Sequence, residues 1–273
     1  MNPISRVAND LREMRWAQVV VELVLLILGI LIALAVDDWM EDRRDARTER
    51  QYLELLARDL DQDLEVLKEF VDFEERQTAD GVMAYQALRR EVAETDEEAV
   101  SRALSHLMTR RTLRLARATY TDLLSTGNIR LIRDTGLRDR IVRLYETNER
   151  LTTIIDRNNQ YYVDQEYTAY LLETGLVAPR PEINLPALQA AMEAFAARIG
   201  TPVDSRDDRL WRLGPEDSER GVLTNKVWMR SLISYQGILL ARTIIDDVSG
   251  VRQAIADELA RRWSDARAGR PTG

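Results

Sequence analysis

Residues 17–36 read AQVVVELVLLILGILIALAV, one apolar run, with only Gln18 and Glu22 polar, in a chain that is otherwise dense in charge. Twenty helical residues rise about 30 Å, the thickness of a bilayer's hydrocarbon core. The run decides the class: one N-terminal transmembrane helix carrying a large domain on one side. Trp16 and Trp39 bracket it, where indole rings favour the membrane–water interface. No second stretch approaches this length; the nearest, Gly237 to Ala241, stops at Arg242. Ala33-Leu34-Ala35 has the small-x-small form of a signal-peptide cleavage site. The apolar core is longer than a signal peptide's and carries Glu22, so the reading is a retained anchor.

Glu22 is the most informative single residue. An ionisable group at membrane depth costs about 2.5–3.5 kcal/mol on insertion scales, so it needs a partner, a proton or a route to the headgroups. At 100° per residue, Gln18, Glu22, Gly29 and Ala33 share one helix face. Polar and small side chains on one face, with Leu, Ile and Val elsewhere, are the pattern of a helix that packs against another membrane helix.

Arg6, Arg12 and Arg15 before the run nearly balance Arg43, Arg44, Arg47 and Arg50 after it. Long domains translocate regardless of charge, whereas a short arginine-bearing tail resists export. The expected placement is a bacterial inner membrane, tail in the cytoplasm and domain in the periplasm.

The net charge of −8 makes nucleic acid an unsuitable partner. Cysteine is absent, which excludes disulfides and thiolate chemistry. His106 is the single histidine, so no HExxH pair and no histidine-based triad can form within one chain. The sequence holds neither a Walker-type phosphate loop nor GxGxxG. Asp59-Leu60-Asp61-Gln62-Asp63 looks like the start of a calcium loop, but it lacks the glycine at the sixth position and lies in a helical stripe. These observations point to a protein that is not an enzyme and holds no metal or cofactor.

The fold class read from periodicity is all-α, a long-helix bundle with coiled-coil character. The ranges are a tail (1–16), the span (17–36), the bundle (37–175), a proline-containing insertion (176–221), and a C-terminal helix with a mobile tail (222–273). Leu53, Leu56, Leu60, Leu64, Leu67 and Val71 recur at helical steps from a segment that continues the span. Thr95 or Asp96 caps a short helix, and another is expected from Leu113 to Thr126, ended by Gly127-Asn128. Asp134 caps a helix reaching Gly175. Its seam runs Leu137, Ile141, Leu144, Asn148, Leu151, Ile155, Asn158, Tyr162, Gln165, Ala169, Leu172, in alternating steps of four and three. Asn148, Asn158 and Gln165 sit in that seam, where amides fix register or oligomeric state. The last helix carries Leu240, Ile244, Val248, Val251, Ile255 and Leu259, with Gly250 as a point of kinking or division. Arg110, Arg111, Arg114 and Arg117 form a basic helix face, best read as pairing with acids such as the 94–98 stretch. Tyr161, Tyr162, Tyr167 and Tyr170 crowd one helix and read as core filling.

Two stretches carry a resemblance. One is Glu22 followed by Gly29-Ile30-Leu31-Ile32-Ala33-Leu34 and Asp37-Asp38-Trp39. The other is Tyr120, Leu124-Ser125-Thr126-Gly127-Asn128, Leu131-Ile132 and Leu137-Arg138. Together they resemble an uncharacterised bacterial family of single-pass, helical membrane proteins. The likeness spans residues 20 to 170, with Asp37-Asp38 standing where the family tends to have amides. It implies a helical protein with one span and supplies no catalytic residue. The functional expectation is a bitopic scaffold or stalk that self-associates in the lipid bilayer as a homo-oligomer. The alternatives are an oligomeric channel or mechanical sensor with Glu22 facing the pore, and an accessory subunit of another membrane protein.

Overall fold

The computed structural model of the chain describes residues 3–90, 95–180, 186–200 and 208–263, with side chains from Val20 onward apart from Ala187, Leu188 and Ile199. The expected mobile tail lies outside these residues. Every regular element among the described residues is helical, with no strand.

Helix α1, Pro3–Leu88, is one continuous rod of 86 residues. Nothing between Val36 and Gln51 breaks it, because that stretch holds neither proline nor glycine. Among the described residues it contains the one segment long and apolar enough to cross a membrane, and none of that segment is buried. From Glu49 the same helix becomes amphipathic and buries Leu53, Leu56, Leu60, Leu67 and Phe70.

Helix α7, Ser218–Trp263, runs antiparallel along α1. Ser231 meets Gly81, Gly237 meets Phe70, and Arg262 reaches Glu49. The third rod is composite. Helix α4, Thr135–Asn158, passes without a break into a π-helical stretch, Asn159–Thr168, and then α5, Ala169–Thr174. Two short helices, α2 (Glu97–His106) and α3 (Ala118–Ser125), close the bundle. Helix α6, Pro186–Ile199, is largely exposed.

The caps fall where the sequence places them. The Asp96 carboxylate accepts from the Ala99 N–H and that of Asp134 from the Leu137 N–H. Gly127 and Gly175 take left-handed φ values of 72° and 61°, which a Cβ would strain.

The core has two parts. One, nearer the span, joins Leu53, Leu60, Leu123, Ile141, Ile244 and Ile255. The other, distal, joins Ala84, Leu104, Leu107, Tyr167, Leu223 and Val227.

Three expectations are corrected. The heptad seam holds from Leu137 to Ile155 and then moves: the buried line continues as Asn159, Val163, Tyr167 and Leu171, in steps of four. Straight α-helical steps of four would drift around the axis. The wider π turn rotates less per residue and keeps the line facing the core. Residues 109–117 form an irregular strap, and the helix begins only at Ala118. Gly250 does not divide α7, which passes through it. The proline-containing region is pinned at both ends: Leu176, Val177 and Leu210 are buried in the distal core, and Arg180 pairs with Asp208 at 2.9 Å.

Candidate functional site

Glu22, Gly29 and Ala33 share a face of α1, and all three are exposed. A Cβ added at Gly29 would meet nothing within 4 Å, so the helix carries an open notch there. Its surroundings are large apolar side chains: Leu25, Leu26, Ile30 and Ile32 are each more than half exposed. Among the described residues Glu22 has no hydrogen bond or ion pair. Trp39 is 59% exposed, with the Arg43 guanidinium 5.2 Å from its ring centroid, a pairing suited to an interfacial anchor. Trp16 and Gln18 lie on α1, but their side chains are outside those described.

Further along α1 three carboxylates point inward. Glu49 Oε1 accepts from the Arg133 N–H at 2.8 Å and from Arg262 Nη1 at 2.6 Å. Arg262 also reaches Glu258, which pairs with Arg261. Asp63 Oδ1 accepts from the Ala116 N–H at 2.7 Å, tying the strap to α1. Burial pushes the Asp63 carboxyl up to about 6; the Ala116 hydrogen bond opposes this and the Asp59 charge adds to it. Tyr145, stacked on Tyr120 with ring centroids 4.1 Å apart, has its hydroxyl held above the usual phenol range by burial and then by Asp63 and Asp59.

Glu74 faces Arg230, with Nη1 and Oε2 3.6 Å apart. Arg230 is fully buried. Its Nε donates to the Leu107 carbonyl at 3.0 Å, its Nη2 to the Thr109 carbonyl at 3.0 Å and to Gln77 at 3.2 Å, and its Nη1 to Ser234. Burial raises the Glu74 carboxyl and lowers the Arg230 guanidinium, while each charge pulls the other back. This polar layer is buried and fastens the strap's first residues to α7. The sequence reading missed it. The signal was there: Arg230 occupies the buried stripe Leu223, Val227, Arg230, Ser234, Gly237.

The seam amides part company. Asn148 is buried, Asn158 donates to Gln236 at 3.1 Å, and Gln165 faces away from the chain's own core. The basic cluster pairs with acids as expected, but with different ones: Arg110 with Asp164 at 2.9 Å, Arg111 with Glu69 at 2.6 Å, Arg117 with Glu149 at 3.1 Å. Of the four tyrosines, Tyr167 is buried with its hydroxyl on the Leu104 carbonyl, while Tyr161 is half exposed. Asp61 lies on α1 and is bridged by Arg252. His106 meets Asp80 at 3.2 Å. Among the described residues no three His, Cys, Asp or Glu groups gather as a metal site.

One bare apolar segment, continuous with a helical bundle whose inward acids are met by donors or a counter-charge from distant parts of the chain, defines an all-α protein with a single candidate span among the described residues. The chain belongs to DUF6090, a family of unknown function, which matches residues 22–165. The match begins at Glu22 itself, takes in the notch, the strap and α4, and ends inside the π-helical stretch. No curated protein and no solved structure matches the chain.

Proposed function

We propose that this chain is a bitopic protein of a bacterial inner membrane, with its bundle in the periplasm, that acts without catalysis as a self-associating scaffold or stalk. The observation that carries the reading is the face of Glu22 and Gly29. It joins a carboxyl without a partner among the described residues to an unfilled notch, within a stretch of α1, residues 20–36, that is otherwise apolar. Small residues let two helices approach closely, and a carboxyl in hydrocarbon gains most from a donor on the neighbour. The bundle then serves as a rigid extension that the anchor holds at a fixed place.

Native mass measurement of the detergent-solubilised chain tests this. The expected result is an oligomer that Gly29→Leu disperses, because a leucine fills the notch, and that Glu22→Gln preserves, because an amide still bonds across the interface. A single copy with no partner refutes the reading. A second reading rests on Glu22 being the one ionisable residue in 17–36: a ring of spans enclosing a cation path. It requires ion flux in liposomes that Glu22→Gln alters.

A further inference from the structure

A second apolar surface stands far from the span. Along the outer side of α7, Trp228 is 51% exposed, Leu232 42%, Tyr235 53% and Leu239 47%. Their spacing is four, three, four, which keeps them on one line of the helix. Val82 of α1, 48% exposed, lies beside them. Val82, Trp228, Leu232 and Tyr235 border a groove of about 350 Å³ between α1 and α7. Its floor is set by a close approach: a Cβ at Gly81 would collide with the Ser231 side chain, so only glycine lets the two helices meet there. The aromatic and aliphatic side chains stand up around that floor.

Alternating steps of four and three on an exposed helix face are the spacing of a seam that receives another helix. The five side chains, each about half exposed, present roughly 500 Å² of apolar surface, so two such faces together approach the ~1,000 Å² that a specific interface needs. The charges at the end of the line do not oppose this. Arg242, the next position, is already bridged to Glu75 at 2.9 Å.

The continuous α1 rod says what covers the face. Val82 lies 46 residues along α1 from Val36, about 70 Å of helix. A second copy held by the same span carries its own face at the same height and with the same polarity. A two-fold axis along the membrane normal brings such a face onto itself. Anchoring in one bilayer also supplies a high effective concentration. We propose that the Trp228–Leu232–Tyr235–Leu239 face of α7, with Val82, is where a second copy of this chain docks its own α7 in parallel. The proposal rests on the self-association reading above and adds the surface to it.

The chain's lack of cysteine makes the test clean. Leu232→Cys, Tyr235→Cys and Leu239→Cys, each reconstituted in lipid vesicles, are oxidised with copper phenanthroline and scored for disulfide-linked dimer. Leu172→Cys on α5, a site 59% exposed and off this face, is the reference. The expected result is at least fivefold more dimer at the three α7 positions than at Leu172. Equal yields at Leu172, or none on α7 while the wild type measures as an oligomer, overturn the proposed surface and leave self-association standing. A wild type that measures as a single copy removes both. Leu232→Glu, at a position 42% exposed and with its helix content checked by circular dichroism, is expected to lower the dimer fraction at least tenfold; association equal to wild type overturns the surface.

Discussion

Between Glu49 and Leu88, α1 turns three carboxylates inward, and distant parts of the chain answer each: Arg262 and the Arg133 N–H donate to Glu49, the Ala116 N–H donates to Asp63, and the Arg230 guanidinium stands 3.6 Å from Glu74 as its counter-charge. Between Val20 and Val36 the same helix carries one carboxylate, Glu22, and no described residue meets it. The contrast lies in the surroundings and not in the helix. A carboxyl removed from water needs a donor wherever it is, and only the bundle half has chain wrapped around it. The bare half leaves that need unmet among the described residues, and in the proposed membrane placement it falls to lipid headgroups or to a neighbour, which is why the functional reading rests there.

Removing donors in the bundle half breaks the comparison most sharply. Arg230→Ala leaves Glu74 buried without its counter-charge and strips donors from the Leu107 and Thr109 carbonyls. We expect a loss of about 3–5 kcal/mol in urea unfolding of the detergent-solubilised chain. Adding Glu74→Gln should recover part of it, because the stranded charge is gone; no recovery would place the cost in the lost carbonyl contacts alone.

Arg262→Ala is milder, since Glu49 keeps the Arg133 N–H. About 1–3 kcal/mol is expected in the same measurement. Asp63→Asn works in the opposite direction. The ordinary aspartate value is about 3.9, and burial lifts Asp63 to about 6. Between these values the folded chain holds a proton that the unfolded chain has released, so stability falls as pH rises through the window and the full penalty applies above it. Asparagine keeps an oxygen for the Ala116 N–H without the charge. The variant should be more stable by about 1–2 kcal/mol at pH 8, with the gain gone below about pH 4. A gain that does not depend on pH would mean that Asp63 titrates alike in the folded and unfolded chain.

Glu22→Gln is the smallest change. Glu22 touches nothing in the bundle, so unfolding should shift by less than about 0.5 kcal/mol. A larger shift would show that the two halves of α1 are energetically joined.

The legible parts of the fold are those set by local pattern. Leu53 to Val71 announces the buried stripe of α1, Asp96 and Asp134 announce helix starts, and Gly127 and Gly175 announce ends. The less legible parts are set by partners remote in sequence. The seam past Ile155 follows the π-helical stretch, and no local periodicity marks where a helix widens. The strap was hidden by its arginines, which suggest a helix face. Its alternation of buried Leu113, exposed Arg114 and half-buried Leu115 fits a non-helical segment. Arg230 looked like any other arginine because its partners, Glu74, Leu107 and Thr109, lie more than a hundred residues away. At the candidate site, the notch at Gly29 was readable from the sequence; the exposed α7 face was not, because exposure depends on which side α1 occupies.

The unbroken rod from span to bundle also fixes a rotational phase. One extra residue in the neck between Val36 and Glu49 would swing the whole bundle about 100° around the helix axis and raise it about 1.5 Å. Seven extra residues would return it to within about 20° of its original bearing. The azimuth at which the far end of the molecule confronts its surroundings is therefore written in the number of residues in a short charged neck.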